Sequence, residues 1–176
     1  MIFFFVRHGE TNYNVDGLAN DNPAKNVYLT PRGIEQAKVV ADKLKYKKFE
    51  IIFVSELNRT METAAIINQC HNAPIRVDQR INDRKTGFDG KPVKEFYKAM
   101  EKDIFNTKIN DGESFQEEKE RLHSFINDLK KLSHDSVLIV THGEPLKIIH
   151  GYFENLTDSQ MYEKRFDNAE IFETNI

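Results

Sequence analysis

The chain has 176 residues, 30% of them charged, and a net charge of −3. That length suits one unit with its own core, so we expect a single domain over 1–176. Lysines and arginines are dispersed and the pI is near 6.1, which leaves no electrostatic footprint for nucleic acid or an anionic membrane. Cys70 has no second cysteine to pair with, and the apolar start meets Arg7 too soon for a signal peptide or a membrane span. The expectation is a soluble, cytoplasmic protein with no nucleic-acid or membrane partner; the sequence sets no oligomeric state.

Taken in chain order, short apolar runs at 2–6, 51–54, 75–77 and 137–140, with a last one near 169–173, read as strands. Amphipathic stretches lie between them. The first long helix starts at Thr30, which can cap it, with Pro31 at the first helical position and Ile34, Ala37, Val40, Ala41 and Leu44 on one face. Its lysines 43, 45, 47 and 48 complement the dipole at a solvated helix end. A second helix runs from Arg59 or Thr60 to about Cys70. A third, over 114–132, opens on the capping box Ser114-x-x-Glu117 and buries Phe115, Leu122, Phe125, Ile126, Leu129 and Leu132. Such alternation predicts an α/β three-layer sandwich, with a mostly parallel central sheet and helices on both faces. Residues 78–113 form a long stretch of mixed polarity, which we expect to act as a lid or substrate segment.

Two junctions stand out. Strand residues 2–6 run into Arg7-His8-Gly9-Glu10-Thr11-Asn12-Tyr13-Asn14, and 137–140 run into Thr141-His142-Gly143-Glu144. Open sheets place ligands outside the carboxyl ends of their strands, so the two His-Gly-Glu turns predict one shared site. In addition, Leu29-Thr30-Pro31-Arg32-Gly33, Ser55-Glu56-Leu57-Asn58-Arg59-Thr60, Asp83 to Gly90 and Gly112-Glu113-Ser114 occur in order. With the segment Arg7 to Asn14, this series resembles the histidine phosphatase superfamily, whose best-known branch holds the phosphoglycerate mutases and related phosphatases.

A neutral imidazole attacks phosphorus only through a free lone pair, so His8 should be held from Nδ1 by a backbone group and react through Nε2. The peripheral oxygens of a phosphoryl group call for guanidinium forks, and Arg7 and Arg59 are placed for this. The resemblance implies that His8 is phosphorylated, that Arg7, Arg59 and His142 bind the phosphate, and that Asn14 and Gly143 add contacts. It implies no cofactor and no metal; His8 and His142 as metal ligands is a weaker reading, since two nearby arginines repel a divalent cation. The substrate implied is a small phosphorylated molecule.

The family usually has glutamate as general acid where this chain has Asp83, which reaches about 1.5 Å less. Asp83 is the candidate and Asp89 the alternative. Glu10 and Glu144 would orient the two turns. His71, His123, His134 and His150 read as ordinary surface or edge histidines. Cys70 and Arg76 match the Cys-x5-Arg spacing of cysteine-dependent phosphatases, yet the cysteine closes a helix and Pro74 removes a needed N–H, so the match is accidental. The expected activity is phosphate monoester hydrolysis through a phosphohistidine. Mutase-type transfer and a phosphate-binding module without turnover are the alternatives.

Overall fold

In a computed structural model, which describes residues 1–175, the elements follow in order. They are β1 (Ile2–Arg7), α1 (Asn12–Asp16), α2 (Pro31–Leu44), β2 (Ile51–Val54), α3 (Asn58–Asn68), β3 (Ile75–Val77), α4 (Val93–Ala99), α5 (Phe115–Leu129), β4 (Ser136–Thr141), α6 (Gly143–Glu154), α7 (Asp158–Glu163) and β5 (Ile171–Asn175). The strands form one sheet in the order β3-β2-β4-β1-β5, parallel except for β5.

The three inner strands are apolar at every central position because both of their faces are covered. On one face Phe3, Phe5, Ile51, Phe53, Val137 and Ile139 pack with α5 and α6 residues such as Leu122, Phe125, Ile126 and Ile149. On the other, Phe4, Val6, Ile52, Val54, Leu138 and Val140 pack against Val40 and Leu44 of α2 and Ala64 and Ile67 of α3. The expected three-layer α/β sandwich is thus present.

Several boundaries differ from expectation. In α2 the inward face is Gly33, Ala37, Val40 and Leu44, and Ile34 is 38% exposed. Gly33 lies so close to Glu10 that the helix turns this side to the sheet, which leaves Ile34 on the flank. Helix α5 stops at Leu129, with Leu132 packed on the core from the turn beyond. The last strand begins at Ile171 rather than near 169, because Ala169 takes φ 60 and donates its N–H to the carbonyls of Arg7 and His8. β3 is an edge strand with every residue exposed. The stretch 78–113 is less irregular than expected, since it holds a 3-10 turn at Gln79–Ile81 and α4. Among the described residues no helix is long and apolar enough to cross a membrane.

Candidate functional site

Strands β1 and β4 pair in parallel register with Arg7 opposite Thr141, and His8 N–H bonds to Thr141 O at 3.0 Å. Both histidines therefore leave the sheet side by side at its carboxyl end, with ring centroids 5.1 Å apart. A cleft of about 440 Å³ opens there, and its wall includes Arg7, His8, Asn14, Arg59, Asp83 and Gly143.

His8 is buried, and its Nδ1 lies 2.7 Å from Gly9 O. A carbonyl only accepts, so the proton is on Nδ1. Nε2 offers its lone pair and takes the Arg59 Nε–H at 3.1 Å. Burial, reinforced by Arg59 and Arg7, pushes the His8 pKa well below the usual histidine value and keeps the ring neutral. Gly9 is needed for a close approach: a Cβ there would stand 2.4 Å from Gly33 O. Its N–H is held by Thr63 Oγ1 at 3.1 Å.

Arg59 is buried near the start of α3. Its Nε also reaches His142 Nδ1 at 3.1 Å, Nη1 and Nη2 hold the side-chain and main-chain oxygens of Asn20 at 2.6 and 3.1 Å, and Nη2 meets Asp83 Oδ2 at 3.1 Å. Arg7 donates from Nη1 to Phe166 O at 2.5 Å. Its Nε is buried with no partner among the described residues, and an unsatisfied cationic donor in a cleft wall suits an anionic ligand. Gly143 lies beside that guanidinium, where a Cβ would stand 3.4 Å from Arg7 Cζ, in ordinary contact. Asn14 lies at the cleft, but its Oδ1 is engaged by the Thr11 N–H and by Asn168, so only its amide is open to a ligand.

Asp83 Oδ2 stands 3.7 Å from His142 Nδ1, and its side chain is 28% exposed. Burial and the neighbouring Glu144 raise its pKa above the usual aspartate value, with Arg59 and Arg7 opposing. Its backbone is clamped from both sides. Asn82 takes the Glu56 N–H at 3.0 Å and donates to Glu56 Oε2 at 2.7 Å. Arg121 donates to the carbonyls of Arg80 and Asn82 at 2.6 and 3.1 Å. Arg84, fully buried, pairs with Glu118 at 2.6 Å and Glu144 at 3.0 Å. These anchors bring the main chain close enough for an aspartate to reach the cleft. Asp89 is not in the wall; it holds Asn20 Nδ2 and the Asp21 N–H at 3.0 and 3.2 Å and shapes the loop that presents Asn20.

Glu10 accepts from Thr30 Oγ1 at 2.8 Å and ties the first turn to α2. Against the desolvation of its burial, Lys147 and Arg84 hold the Glu144 carboxylate below its usual range, where it bonds both and Tyr97. Cys70 is exposed and Arg76 lies on the edge strand β3, so the two form no phosphate loop. Among the described residues no three His, Cys, Asp or Glu side chains are grouped to hold a metal.

A family model described as the histidine phosphatase superfamily (branch 1) matches residues 3–176. The chain belongs to the histidine phosphatase superfamily. The adenosylcobalamin/alpha-ribazole phosphatase of Escherichia coli (strain K12) is 28% identical, over 96% of this chain and 87% of the relative. The 2,3-bisphosphoglycerate-dependent phosphoglycerate mutase of Thermoplasma acidophilum is 26% identical, over 97% and 84%. The crystal structure of the alpha-ribazole phosphatase from Shigella flexneri superposes with a TM-score of 0.91 at 27% identity, covering 100% of this chain and 91% of that one. Within this superfamily the phosphatase-named relatives place the chain among hydrolases of phosphate esters.

Sequence reasoning did not anticipate four residues at this candidate site. Asn20 grips Arg59 from a loop with no local pattern. Ser55, quoted only as a motif letter like Thr60, lies against His142, and Thr60 lies against Ser55. Asn168, in the loop before β5, donates to His8 O at 3.2 Å. The helix α6 was also unforeseen, although it seats His142 as its N-cap.

Proposed function

We propose that the chain hydrolyses small phosphate monoesters by double displacement at His8. Nε2 attacks phosphorus while the ester oxygen leaves with the proton of the Asp83 carboxyl. Water then attacks the phosphohistidine, the Asp83 carboxylate accepts its proton, and inorganic phosphate leaves His8 as the Nδ1–H tautomer. Arg7, Arg59 and His142 hold the peripheral oxygens, with Asn14 and the backbone at Gly143 closing the cradle. The observation that carries this reading is the fixed His8 tautomer, with Nε2 directed at Arg59, which also bonds the Asp83 carboxyl of raised pKa. The presence of Asp83, Arg84, Thr86, Val93, Phe96 and Tyr97 in the cleft wall supports a substrate-contacting role for the segment 78–113. The single exposed cysteine fits a reducing, cytoplasmic compartment.

A panel of alkyl and aryl phosphates tests the proposal by kcat/KM for phosphate release, with ribazole phosphate included because the relatives' names suggest it and phosphoserine as a further small monoester. The mutase-named relative motivates a second arm with 3-phosphoglycerate and a trace of the 2,3-bisphosphate. Free phosphate is expected there, and 2-phosphoglycerate as the main product would favour transfer over hydrolysis.

A further inference from the structure

His142 Nε2 lies 2.8 Å from Ser55 Oγ, which lies 2.8 Å from Thr60 Oγ1. Thr60 Oγ1 in turn lies 2.9 Å from Leu57 O and 3.2 Å from Ser55 O, while the Leu57 N–H reaches Ser55 Oγ at 3.1 Å. All three side chains are sealed from solvent, so their hydrogen bonds must be met within the group. The protons can be counted. The Arg59 Nε–H only donates, so His142 Nδ1 accepts it and the neutral ring carries its proton on Nε2, facing Ser55 Oγ; the Thr60 hydroxyl, with two carbonyls in reach of its one proton, then meets Ser55 as an acceptor. Ser55 therefore gives its proton to Thr60, and its oxygen receives both the Leu57 N–H and an N–H from His142. The imidazole proton is thereby assigned to Nε2. Its Nδ1 lone pair is met by the Arg59 Nε–H, behind the cleft wall that Arg59 and His8 form.

We propose that Ser55 and Thr60 are positioning residues that fix His142 in the Nε2–H tautomer, so that Nδ1 is the atom this ring presents to the phosphoryl group. The histidine pair is then set in opposite senses. His8 keeps its proton on Nδ1 through Gly9 O, and His142 keeps its proton on Nε2 through the hydroxyl relay, which leaves the two inward nitrogens converging on Arg59. The charged and titratable groups facing His142 are Arg7 from β1, His8 just after it, Arg59 from α3, Asp83, and Arg121 from α5. Of these only Asp83 could favour the imidazolium, and burial with the surrounding cations holds the ring neutral. The assignment rests on the reading that His142 binds the transferred group.

The test uses the full chain with 15N-labelled histidine. Long-range 1H–15N correlations of His142, assigned by their loss in His142→Ala, should show the proton on Nε2 in the unmodified protein; a proton on Nδ1 overturns the proposal without any further variant. Thr60→Val removes the acceptor that orients the Ser55 hydroxyl, so Ser55 can donate to the ring and shift the tautomer toward Nδ1–H. It should lower kcat about 10- to 100-fold, the usual effect of losing a group that orients a ligand-holding imidazole, with a smaller change in KM. Thr60→Ser should restore both the Nε2–H signal and most of kcat. Equal damage by the valine and serine variants would mean that the methyl matters and the relay does not. If His142→Ala itself leaves kcat/KM intact, the phosphate-binding reading fails; if only the Thr60 series is silent, the relay alone fails.

Discussion

In the proposed mechanism Asp83 carries the largest burden at the scale of single residues, because a carboxyl assigned to donate a proton has to keep it at working pH. Burial and Glu144 raise its pKa, while His8 stays neutral because burial and two arginines lower its own. The phosphorylation step needs both forms. For an alkyl ester, kcat/KM should therefore fall as pH rises through the Asp83 pKa, and the acid limb should lie below the usual histidine range. Asp83→Asn should lose about 100- to 10,000-fold on alkyl phosphates and far less on p-nitrophenyl phosphate, whose leaving group needs no acid. The ratio of wild-type to variant profiles cancels the ester's own ionisation and should retain the basic-side decline. A uniform loss on both ester types would remove Asp83 from the acid role. Asp89→Asn, which perturbs only the loop carrying Asn20, should act mainly on KM.

At the scale of elements, the first turn and the start of α2 are pressed together. A Cβ on Gly33 would sit 2.0 Å from Glu10 O, and the atom that must yield is backbone. Gly33→Ala should cost about 3 kcal/mol or more in urea unfolding. Gly17→Ala, at φ +66 but with nothing nearby, should cost only about 1–2 kcal/mol. Equal costs would show that the close approach does not constrain the turn. The anchor behind Asp83 offers a second check. Glu118 is fully buried against Arg84, its Oε1 without a partner among the described residues, and burial pushes its pKa up to about 7 against the pull of Arg84 and Arg121. Glu118→Ala leaves a buried guanidinium short of a partner and should cost about 3–5 kcal/mol. The double change Arg84→Met with Glu118→Leu should be milder in stability, yet lower kcat/KM by loosening the main chain at Asp83. A double variant of full activity would remove the anchor from the account.

These elements also show what the sequence could and could not say. The inner strands were legible because runs such as Phe3 to Val6 must be apolar on both faces. The capped starts of α2 and α5 were legible because Thr30 and Ser114 act through near neighbours. Helix α6 escaped because Gly143-Glu144-Pro145 reads as a turn, and Lys147, an apparent surface residue, is buried against Glu144. Ile34 was misplaced by counting hydrophobicity without the contact at Gly33. The backbone hold on His8 Nδ1 was expected from its chemistry and is met by Gly9 O. Asn20 and Asn168 could not be read, since each arrives at the site through a loop whose path is fixed by distant partners such as Asp89.

At the scale of the whole molecule, the fold brings residues from both ends of the chain to one point. Parallel pairing of β1 with β4 sets the histidines side by side, α3 delivers Arg59, and the segment after β3 delivers Asp83. The cleft wall includes aromatic and aliphatic groups, among them Phe96, Tyr97, Val27 and Tyr162, beside its charged ones, so small esters with some apolar surface should show the highest kcat/KM in the panel. The central claim is that the transferred group rests covalently on the first of the two histidines. Rapid quenching during turnover of a radiolabelled ester, followed by peptide mapping, measures it most directly. The account predicts acid-labile label on His8 and none in His8→Ala; label on Cys70, on any other side chain, or turnover by His8→Ala at an undiminished rate would contradict it.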